Sequence, residues 1–431
     1  MLVVGAGATS SAFLLLSRDV FPLVKVDCKP LTLPAMPGFE WFGAEERAEV
    51  SEVLETGVLM RYGFDPMRKG RWKASELESA LAQRMGVAHA HVCSSGTAAV
   101  FTALAACGVG AGDEVIVPPF TFVADIEAVL WLGAIPVFAE IDETLCLSPA
   151  SVEAKMTGRT KAVLVVHMCG SMARIGELAA LCERRGVVLV EDAAQAVGAS
   201  FEGRALGSIG RVGAYSFDYV KTMTCGEGGA VVTHDAGIHD LVQAFTDHGH
   251  DHRGKDRGAD LHPIMGLNFR ISELHAAVGL AQLRKLDLIL ERQRKVKGVL
   301  KEGLRGVEGL SFREVPDPAG DSGTFLSFFL PTEGEAREAS KALGAAGVDG
   351  CFYWYDNNWH YHRRWEHFKR LVSPAALAVQ KAGWLESLEG IEVPESDALM
   401  GRTICMLVKL GWTDEQVEER LGKMRSVLGG R

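Results

Sequence analysis

The feature that most constrains the fold is a series of short apolar runs separated by amphipathic stretches of helical length. Such runs cover residues 114–117, 136–140, 162–166 and 187–190. Continuous apolar runs are typical of strands buried on both faces, and helical stretches between them indicate parallel strands joined by crossovers. The sequence therefore predicts an α/β fold built on a large, doubly wound, mostly parallel sheet.

Three regions are predicted along the chain. Residues 1–35 form an N-terminal extension, 36–285 a large domain and 286–431 a smaller C-terminal α+β domain. Leucines at helical spacing predict a long helix over 274–304 that joins the two domains. The strands and helices predicted for the smaller domain are 326–330, 404–407, 335–346 and 414–427.

Composition excludes several classes of protein. The 431 residues carry a formal net charge of −10 with dispersed lysine and arginine, so no basic face is available for nucleic acid. The nine cysteines lack paired CxxC spacing, which predicts reduced thiols and no structural metal. The apolar patch at 12–16 is too short for a membrane span, and no cation precedes it as in a secretory signal. We therefore predict a cytoplasmic protein that binds neither nucleic acid nor membrane.

The glycine-rich start of the chain, MLVVGAGATSS, is a poor match to a dinucleotide-binding loop. Ser10 stands where that loop needs its third glycine, and no acidic partner follows within a βαβ unit. A nucleotide-dependent reductase is therefore disfavoured.

Two polar side chains follow apolar runs in the middle of the chain. Asp192 follows the run at 187–190, and Lys221 follows a second run at 212–217. Ligand sites of parallel sheets form at the carboxyl ends of strands, where we expect the Asp192 carboxylate to emerge. A carboxylate can hold a pyridinium nitrogen protonated, and a lysine amine can carry an aldehyde cofactor as a Schiff base. The glycines at 226–229 would allow the backbone to approach a ligand closely.

A helix start and a histidine are further candidates. Gly96 and Thr97 open a helical pattern directly after a strand-like segment, so their amides favour a phosphate site, with an ordinary capped helix as the alternative. His167 ends another strand-like run. It either contacts substrate or satisfies the end of its strand.

Two polar clusters could recognise a substrate. The stretch 247–263 holds four histidines, but no ligand pair lies on a predicted helix face, so a solvated or substrate-gating loop is favoured over a metal site. The stretch 351–365 is rich in rings, amides and cations, and Tyr353, Trp354 and His360 are its candidates for stacking on and hydrogen bonding to a sugar. A packed domain interface explains that second stretch equally well.

Several of these segments together resemble the DegT/StrS family of pyridoxal-phosphate-dependent sugar aminotransferases. The matching segments are DAAQA at 192–196, SFDYVK at 216–221, GEGG at 226–229, SSGTAA at 94–99, PPFTFVAD at 118–125 and GLNFRISELHAA at 266–277. The resemblance implies aminotransferase fold type I, with Lys221 carrying the cofactor and Asp192 keeping its ring nitrogen protonated. It also implies that Phe122 stacks on the ring and Gln195 meets its 3′ oxygen. The residues it places at the phosphate are Gly96, Thr97, Ser216 and Asn268.

The same resemblance has consequences for assembly. In that family the residue matching Asn268 crosses a dimer interface to the neighbouring subunit's phosphate, with Arg270 as its companion. A homodimer with composite active sites is implied.

Some segments are similar to one branch of the family, which aminates C8 of an octulosonate sugar acid. These are HGHDHRGKDRGADLHPIMGLNFR at 248–270, VDGCFYWYDNNWHY at 348–361 and VHMCGSM at 166–172. The branch implies transfer of an amino group from L-glutamate to the C8 aldehyde of 3,8-dideoxy-8-oxo-manno-octulosonate, for lipopolysaccharide. The alternative acceptor is a nucleotide-linked keto-hexose. A sugar acid would need a cation for its carboxylate, and the candidates are Arg253, Lys255, Arg257, Arg363 and Arg364.

Overall fold

The computed structural model describes residues 37–254 and 257–430, which contain thirteen strands and fourteen α-helices. The predicted extension at 1–35, the neighbouring Met36 and the candidate cation Lys255 lie outside the described residues. The strands are β1 (His89–Cys93), β2 (Glu114–Val117), β3 (Ile135–Phe138), β4 (Thr160–Val166), β5 (Val188–Asp192), β6 (Ser200–Phe201), β7 (Arg204–Ala205), β8 (Val212–Ser216), β9 (Gly229–Thr233), β10 (Ser311–Phe312), β11 (Phe325–Phe329), β12 (Cys351–Phe352) and β13 (Thr403–Leu407).

Helices cover the sheets and connect the strands. They are α1 (Pro37–Glu40), α2 (Ala44–Thr56), α3 (Lys73–Met85), α4 (Gly96–Ala106), α5 (Val123–Trp131), α6 (Pro149–Lys155), α7 (Ile175–Arg185), α8 (Ala236–Phe245), α9 (Glu273–Gly303), α10 (Glu333–Ala345), α11 (Glu366–Lys369), α12 (Ala378–Lys381), α13 (Pro394–Gly401) and α14 (Asp414–Gly429). Within 37–254 and 257–430, no helix combines the length and the hydropathy required to cross a membrane.

The large sheet has seven strands in the order β1-β9-β8-β5-β4-β2-β3. Strands β3, β2, β4, β5 and β8 are parallel, and β9 runs antiparallel to both of its neighbours. Strand β1 therefore points the same way as β8. The carboxyl ends of β1, β5 and β8 consequently lie at one edge of the sheet, which is where the predicted site residues follow.

The parallel strands match the apolar runs in the sequence to within about two residues, which is the usual scatter of element boundaries. Within the large sheet, β9 is the strand that the apolar runs in the sequence did not reveal, because it begins in the glycines of GEGG. An added Cβ on Gly229 would lie 2.8 Å from the Tyr215 carbonyl oxygen and still closer to that of Ser95. These glycines therefore allow close approach of the chain to its own backbone.

A second sheet, of four antiparallel strands in the order β10-β11-β13-β12, lies in the C-terminal part of the chain. Helix α9 packs against α2 and α3 and also against α14, and it continues without interruption through the predicted domain boundary at 285. Trp365, Phe368 and Val379 pack into the same hydrophobic cluster as Val115 and Ile126 of the large sheet and its helices. The C-terminal region thus contributes side chains to the core of the larger one, and the boundary at 285 stays a prediction.

Candidate active site

Asp192 is the last residue of β5 and is buried. Its Oδ1 accepts a hydrogen bond of 2.7 Å from the Ala194 amide, and its carbonyl oxygen accepts one of 2.9 Å from the His167 amide. Burial raises the pKa of the Asp192 carboxyl, while the Ala194 amide and the Lys221 amine oppose that rise. The charge on this carboxylate therefore depends on the cations and donors around it.

Lys221 lies in the loop after β8, close enough to Asp192 for the two charges to interact. Its amide donates to the Asp218 carbonyl oxygen at 3.0 Å, and its own carbonyl oxygen accepts from Gly38 of α1 at 3.2 Å. Burial lowers the pKa of the Lys221 amine, against the opposing charges of Asp192, Asp218 and Asp125. A lysine with a lowered pKa is more often the neutral amine that can act as a nucleophile.

The start of α4 and the Ser216 side chain are in direct contact. A Cβ added to Gly96 would lie 2.6 Å from the Ser216 Cβ and 2.8 Å from its Oγ. The Ser95 hydroxyl oxygen accepts a hydrogen bond of 3.0 Å from the Ala98 amide, while the amides of Gly96 and Thr97 donate to no side chain of the described residues. A helix N-terminus next to a hydroxyl binds anions well, so this corner fits the phosphate of pyridoxal phosphate.

Phe122 and Gln195 each follow a parallel strand of the large sheet, Phe122 after β2 and Gln195 after β5. Phe122 is the half-buried N-cap of α5, and its ring centroid is 5.4 Å from that of His360 and 6.3 Å from that of Trp359. The Gln195 Oε1 accepts a 2.9 Å hydrogen bond from the Cys169 amide. The Gln195 NH₂ is therefore the group available to donate to an oxygen of the cofactor ring.

Asn268 is exposed and lies near the phosphate corner of its own chain. The carbonyl oxygen of Phe269 accepts a 2.7 Å hydrogen bond from Ser94, two residues before Gly96. The side chain of Arg270 turns to Asp247, with 2.5 Å between its Nη1 and the Oδ1 of that carboxylate. The role of Asn268 at a partner's phosphate stays a prediction.

His167 is fully buried behind Asp192. Its Nε2 lies 2.9 Å from Oε2 of the equally buried Glu191, and its Nδ1 accepts a 3.4 Å hydrogen bond from the Ala173 amide. Glu191 in turn accepts from the amides of Gly207, Ile209 and Gly210. Both ring nitrogens of His167 have partners within the chain, which favours the strand-end role over substrate contact.

The aromatic cluster at 351–365 divides into two parts. The Tyr353 hydroxyl donates to the Gly401 carbonyl oxygen at 2.7 Å, and Trp354 is buried and stacked on Phe352 at 4.4 Å between centroids. These contacts are those of a packed interface. His360 instead lies near Lys221: burial, with a smaller contribution from that amine, lowers its pKa to about 3, so the ring is neutral at physiological pH.

The histidine-rich stretch is organised around a buried carboxylate. Asp247 is fully buried, forms two hydrogen bonds of 2.6 and 2.5 Å with Arg257, and also binds Arg270. The ring of His252 stacks on Tyr62 at 4.4 Å and lies 3.3 Å from Asp247. In the described ranges, no group of three or more His, Cys, Asp or Glu is arranged to hold a metal ion.

One acidic residue at this edge was not assigned a role from the sequence. Asp125 belongs to the quoted segment 118–125, and its carboxyl is buried beside that of Asp192. The signal that could have revealed it is an acid in the otherwise apolar helix start FVADI at 122–126.

Comparisons with known proteins identify the family of the chain. The model of the DegT/DnrJ/EryC1/StrS aminotransferase family matches residues 42–419. The chain is 36% identical over 304 residues to a UDP-N-acetyl-3-dehydro-alpha-D-glucosamine 3-aminotransferase of Acidithiobacillus ferrooxidans, covering 70% of this chain and 79% of that protein. It is 42% identical over 239 residues to an L-glutamine:2-deoxy-scyllo-inosose aminotransferase of Streptomyces kanamyceticus, covering 51% of this chain and 56% of that relative's length.

Solved structures give the same result. The X-ray structure of the aminotransferase from Psychrobacter cryohalolentis superposes with a TM-score of 0.77 at 26% identity, over 90% of this chain and 98% of that one. The predicted fold class, aminotransferase class and pyridoxal phosphate cofactor are confirmed. The chain belongs to the DegT/DnrJ/EryC1/StrS aminotransferase family.

Proposed function

We propose that the protein transfers an amino group from L-glutamate to the C8 aldehyde of 3,8-dideoxy-8-oxo-manno-octulosonate. The observation that carries the transaminase part is the meeting of Asp192, Lys221 and the Gly96–Ser216 corner at one edge of the sheet. The octulosonate part is supported by the similarity of 248–270 and 348–361 to the branch that aminates such a sugar acid.

The residues divide the chemistry among them. Pyridoxal phosphate, when bound, draws electrons from the carbon that bears the substrate amine. Asp192 holds the proton on the ring nitrogen, and Gly96, Thr97 and Ser216 hold the phosphate. The Lys221 amine, with its lowered pKa, removes the proton from the α carbon of the donor and later delivers a proton to C8 of the acceptor.

The sugar carboxylate needs a cation that is not already neutralised. Arg257 is held by two hydrogen bonds to Asp247, and Arg364 lies 3.8 Å from Asp356. Arg363 is exposed, lies over the Tyr355 ring at 4.2 Å and donates a hydrogen bond to the Tyr355 hydroxyl. Its charge acts on Asp356, but among the described residues it forms no ion pair within 4.0 Å, and neither does the exposed Arg253. We favour Arg363, because it follows closely on His360, which lies near Lys221.

A homodimer with composite sites belongs to the same proposal. Exposed apolar side chains occur in two segments, one with Leu59, Phe64 and Met67, and one that also holds Asn268, with Leu261, Met265 and Leu267. A backbone bridge between Met60 and Ser272 holds the two contributing segments side by side. Exposed apolar side chains mark interaction sites, and a second copy fits because the residue that matches the family's phosphate-binding Asn lies in the second of these segments.

The first test is chemical trapping. Borohydride reduction of the cofactor-loaded protein followed by peptide mass spectrometry should find the phosphopyridoxyl group on Lys221. An adduct on another lysine, or none after reconstitution, would contradict the site assignment.

The acceptor is tested with the amino-loaded form of the enzyme. We expect the visible absorbance of the bound cofactor to return when the 8-oxo octulosonate is added and to stay unchanged with UDP-, GDP- or dTDP-linked keto-hexoses. The serious alternative is a nucleotide-sugar acceptor, which the name of the Acidithiobacillus relative motivates. A response to the nucleotide sugars alone would establish that alternative. L-Glutamine, named as donor for the Streptomyces relative, is compared with L-glutamate in the donor half-reaction.

The Arg363→Gln variant tests the recognition of the sugar acid. Loss of a charge-assisted hydrogen bond is expected to raise the acceptor KM about tenfold or more while the glutamate half-reaction keeps its rate. Arg364→Gln is the matched control and should leave both unchanged, because Arg364 already faces Asp356. An unchanged KM in Arg363→Gln would move the carboxylate site to another cation.

Composite sites predict complementation between inactive subunits. Mixing Lys221→Ala with Asn268→Ala subunits should restore activity, since one of the two sites in each mixed dimer is then intact. Labelled subunits report whether mixed dimers have formed. If they form and the mixture stays as inactive as the two parent variants, the shared site is refuted.

A further inference from the structure

Asp125 is an unusual acid for its position. It occupies the third residue of α5 and is 1% exposed. The Thr121 hydroxyl donates a hydrogen bond to its Oδ2, while its Oδ1 is buried and has no partner in the described part of the chain. A buried polar atom without a partner is costly, so the contact that satisfies Oδ1 must come from a group beside it.

Two charged groups face Asp125 from other elements. The Asp192 carboxyl on β5 and the Lys221 amine after β8 both interact with it electrostatically. Burial, and after it the charge of Asp192, raises the pKa of the Asp125 carboxyl well above its usual value. Two adjacent buried carboxylates repel each other when both are ionised, and a proton retained by one of them relieves that repulsion.

The proton is assigned by the remaining contacts. Asp192 already accepts a hydrogen bond from the Ala194 amide, and of the nearby carboxylates it interacts most strongly with the Lys221 amine. Both interactions favour its ionised form. In Asp125, Oδ2 accepts the hydrogen bond from Thr121, and Oδ1 has no partner among the described residues. A proton on Oδ1 converts that oxygen into the donor that Asp192 can accept from.

We propose that Asp125 is a neutral hydrogen-bond donor to Asp192 and thereby a positioning residue for the carboxylate that meets the cofactor's ring nitrogen. This inference rests on the proposed function of Asp192. A donor to the Asp192 carboxylate stabilises its negative form, which keeps the shared proton on the ring nitrogen. Without the donor, the proton shifts toward Asp192 and the ring withdraws electrons less strongly.

The first experiment needs no cofactor. The infrared difference spectrum of the cofactor-free protein, Asp125→Asn minus wild type at neutral pH, should show loss of the carbonyl band of a protonated carboxyl. The Glu127→Gln variant, on the same helix and partly buried, is the control and should leave the band at Asp125 in place. Absence of the band from wild-type protein would overturn the proposal.

The second experiment separates a donor from a space-filling role. Asn keeps an N–H donor at position 125, whereas Leu keeps a similar shape and branching without one. With ¹⁵N-labelled cofactor, the ring-nitrogen shift of Asp125→Asn should stay at the protonated position, and that of Asp125→Leu should move toward the unprotonated one. Turnover should fall about tenfold or more in Asp125→Leu and be largely rescued in Asp125→Asn.

The outcomes distinguish the two levels of the proposal. If wild-type protein gives no cofactor adduct on Lys221, the proposed function fails, whatever the infrared band shows. If the adduct forms but Asn and Leu variants have the same ring-nitrogen shift, the role of Asp125 is wrong while the function stands. Should Asp125→Leu fail to fold, the infrared band and the Asp125→Asn shift still decide.

Discussion

The contact between Gly96 and Ser216 allows a quantitative prediction for Gly96→Ala. The new methyl carbon would lie 2.6 Å from the Ser216 Cβ, about 1 Å inside the preferred separation of two carbons. Such overpacking costs about 1–3 kcal/mol, while Ala in place of a helical Gly returns at most about 1 kcal/mol. We therefore expect the free energy of unfolding to fall by up to about 3 kcal/mol.

The same change should weaken cofactor binding, because the helix start that holds the phosphate is displaced. A shift of about 1.4 kcal/mol corresponds to a tenfold increase in the Kd of pyridoxal phosphate. Urea unfolding of the cofactor-free protein and a fluorescence titration with the cofactor measure the two effects. Gly334→Ala is the matched control, since it is also a first-turn glycine and the added Cβ would have only Thr332 Oγ1 nearby, at 3.9 Å.

A double variant separates the steric effect from loss of the hydroxyl. Gly96→Ala with Ser216→Gly removes both atoms of the close contact, so stability should recover while cofactor affinity stays low. If Gly96→Ala has the same free energy of unfolding and the same cofactor Kd as the wild type, the phosphate site is not at this helix start.

Two further predictions concern charge. Asp192→Asn should retain the cofactor but lose most of its single-turnover rate, since an amide cannot hold the ring nitrogen protonated; a near wild-type rate would assign that role elsewhere. Burial and the nearby Arg61 lower the pKa of His91 from 6.5 to about 4, so unfolding takes up a proton between those values and stability falls as pH falls from 6.5 to 4. His91→Gln should flatten that part of the curve in urea unfolding, and an unchanged slope would show that His91 is not the group responsible.

Much of the fold and part of the site could be predicted from the sequence, for identifiable reasons. Buried parallel strands such as β4 and β5 are continuous apolar runs, and a polar residue that ends such a run must emerge at the edge of the sheet. Asp192 was therefore predictable in position. Its contact with Asp125 was not, because that contact joins a helix start to a strand far along the chain: an acid in an apolar helix start marks Asp125 itself, but nothing local marks its partner.

The aromatic cluster shows a different limit. Rings that pack into an interface and rings that line a binding site have the same composition, so the sequence left both roles open for 351–365. The Trp354 ring stacks on Phe352 and also lies 4.5 Å from the His360 ring, between centroids, and it is His360 that interacts with Lys221. These contacts depend on tertiary packing.

The glycines at the start of β9 have a consequence for how such a protein can diversify. Any side chain at Gly229 would enter space held by the carbonyl oxygens of Ser95 and Tyr215, whatever molecule the enzyme aminates. Gly228 and Gly229 therefore preserve the scaffold, whichever acceptor the enzyme uses. New specificities would have to arise elsewhere, for example at Asn358, Trp359, Arg363 and Arg364, the exposed residues of 351–365. Directed libraries aimed at a different acceptor should vary those positions and leave Gly228 and Gly229 unchanged.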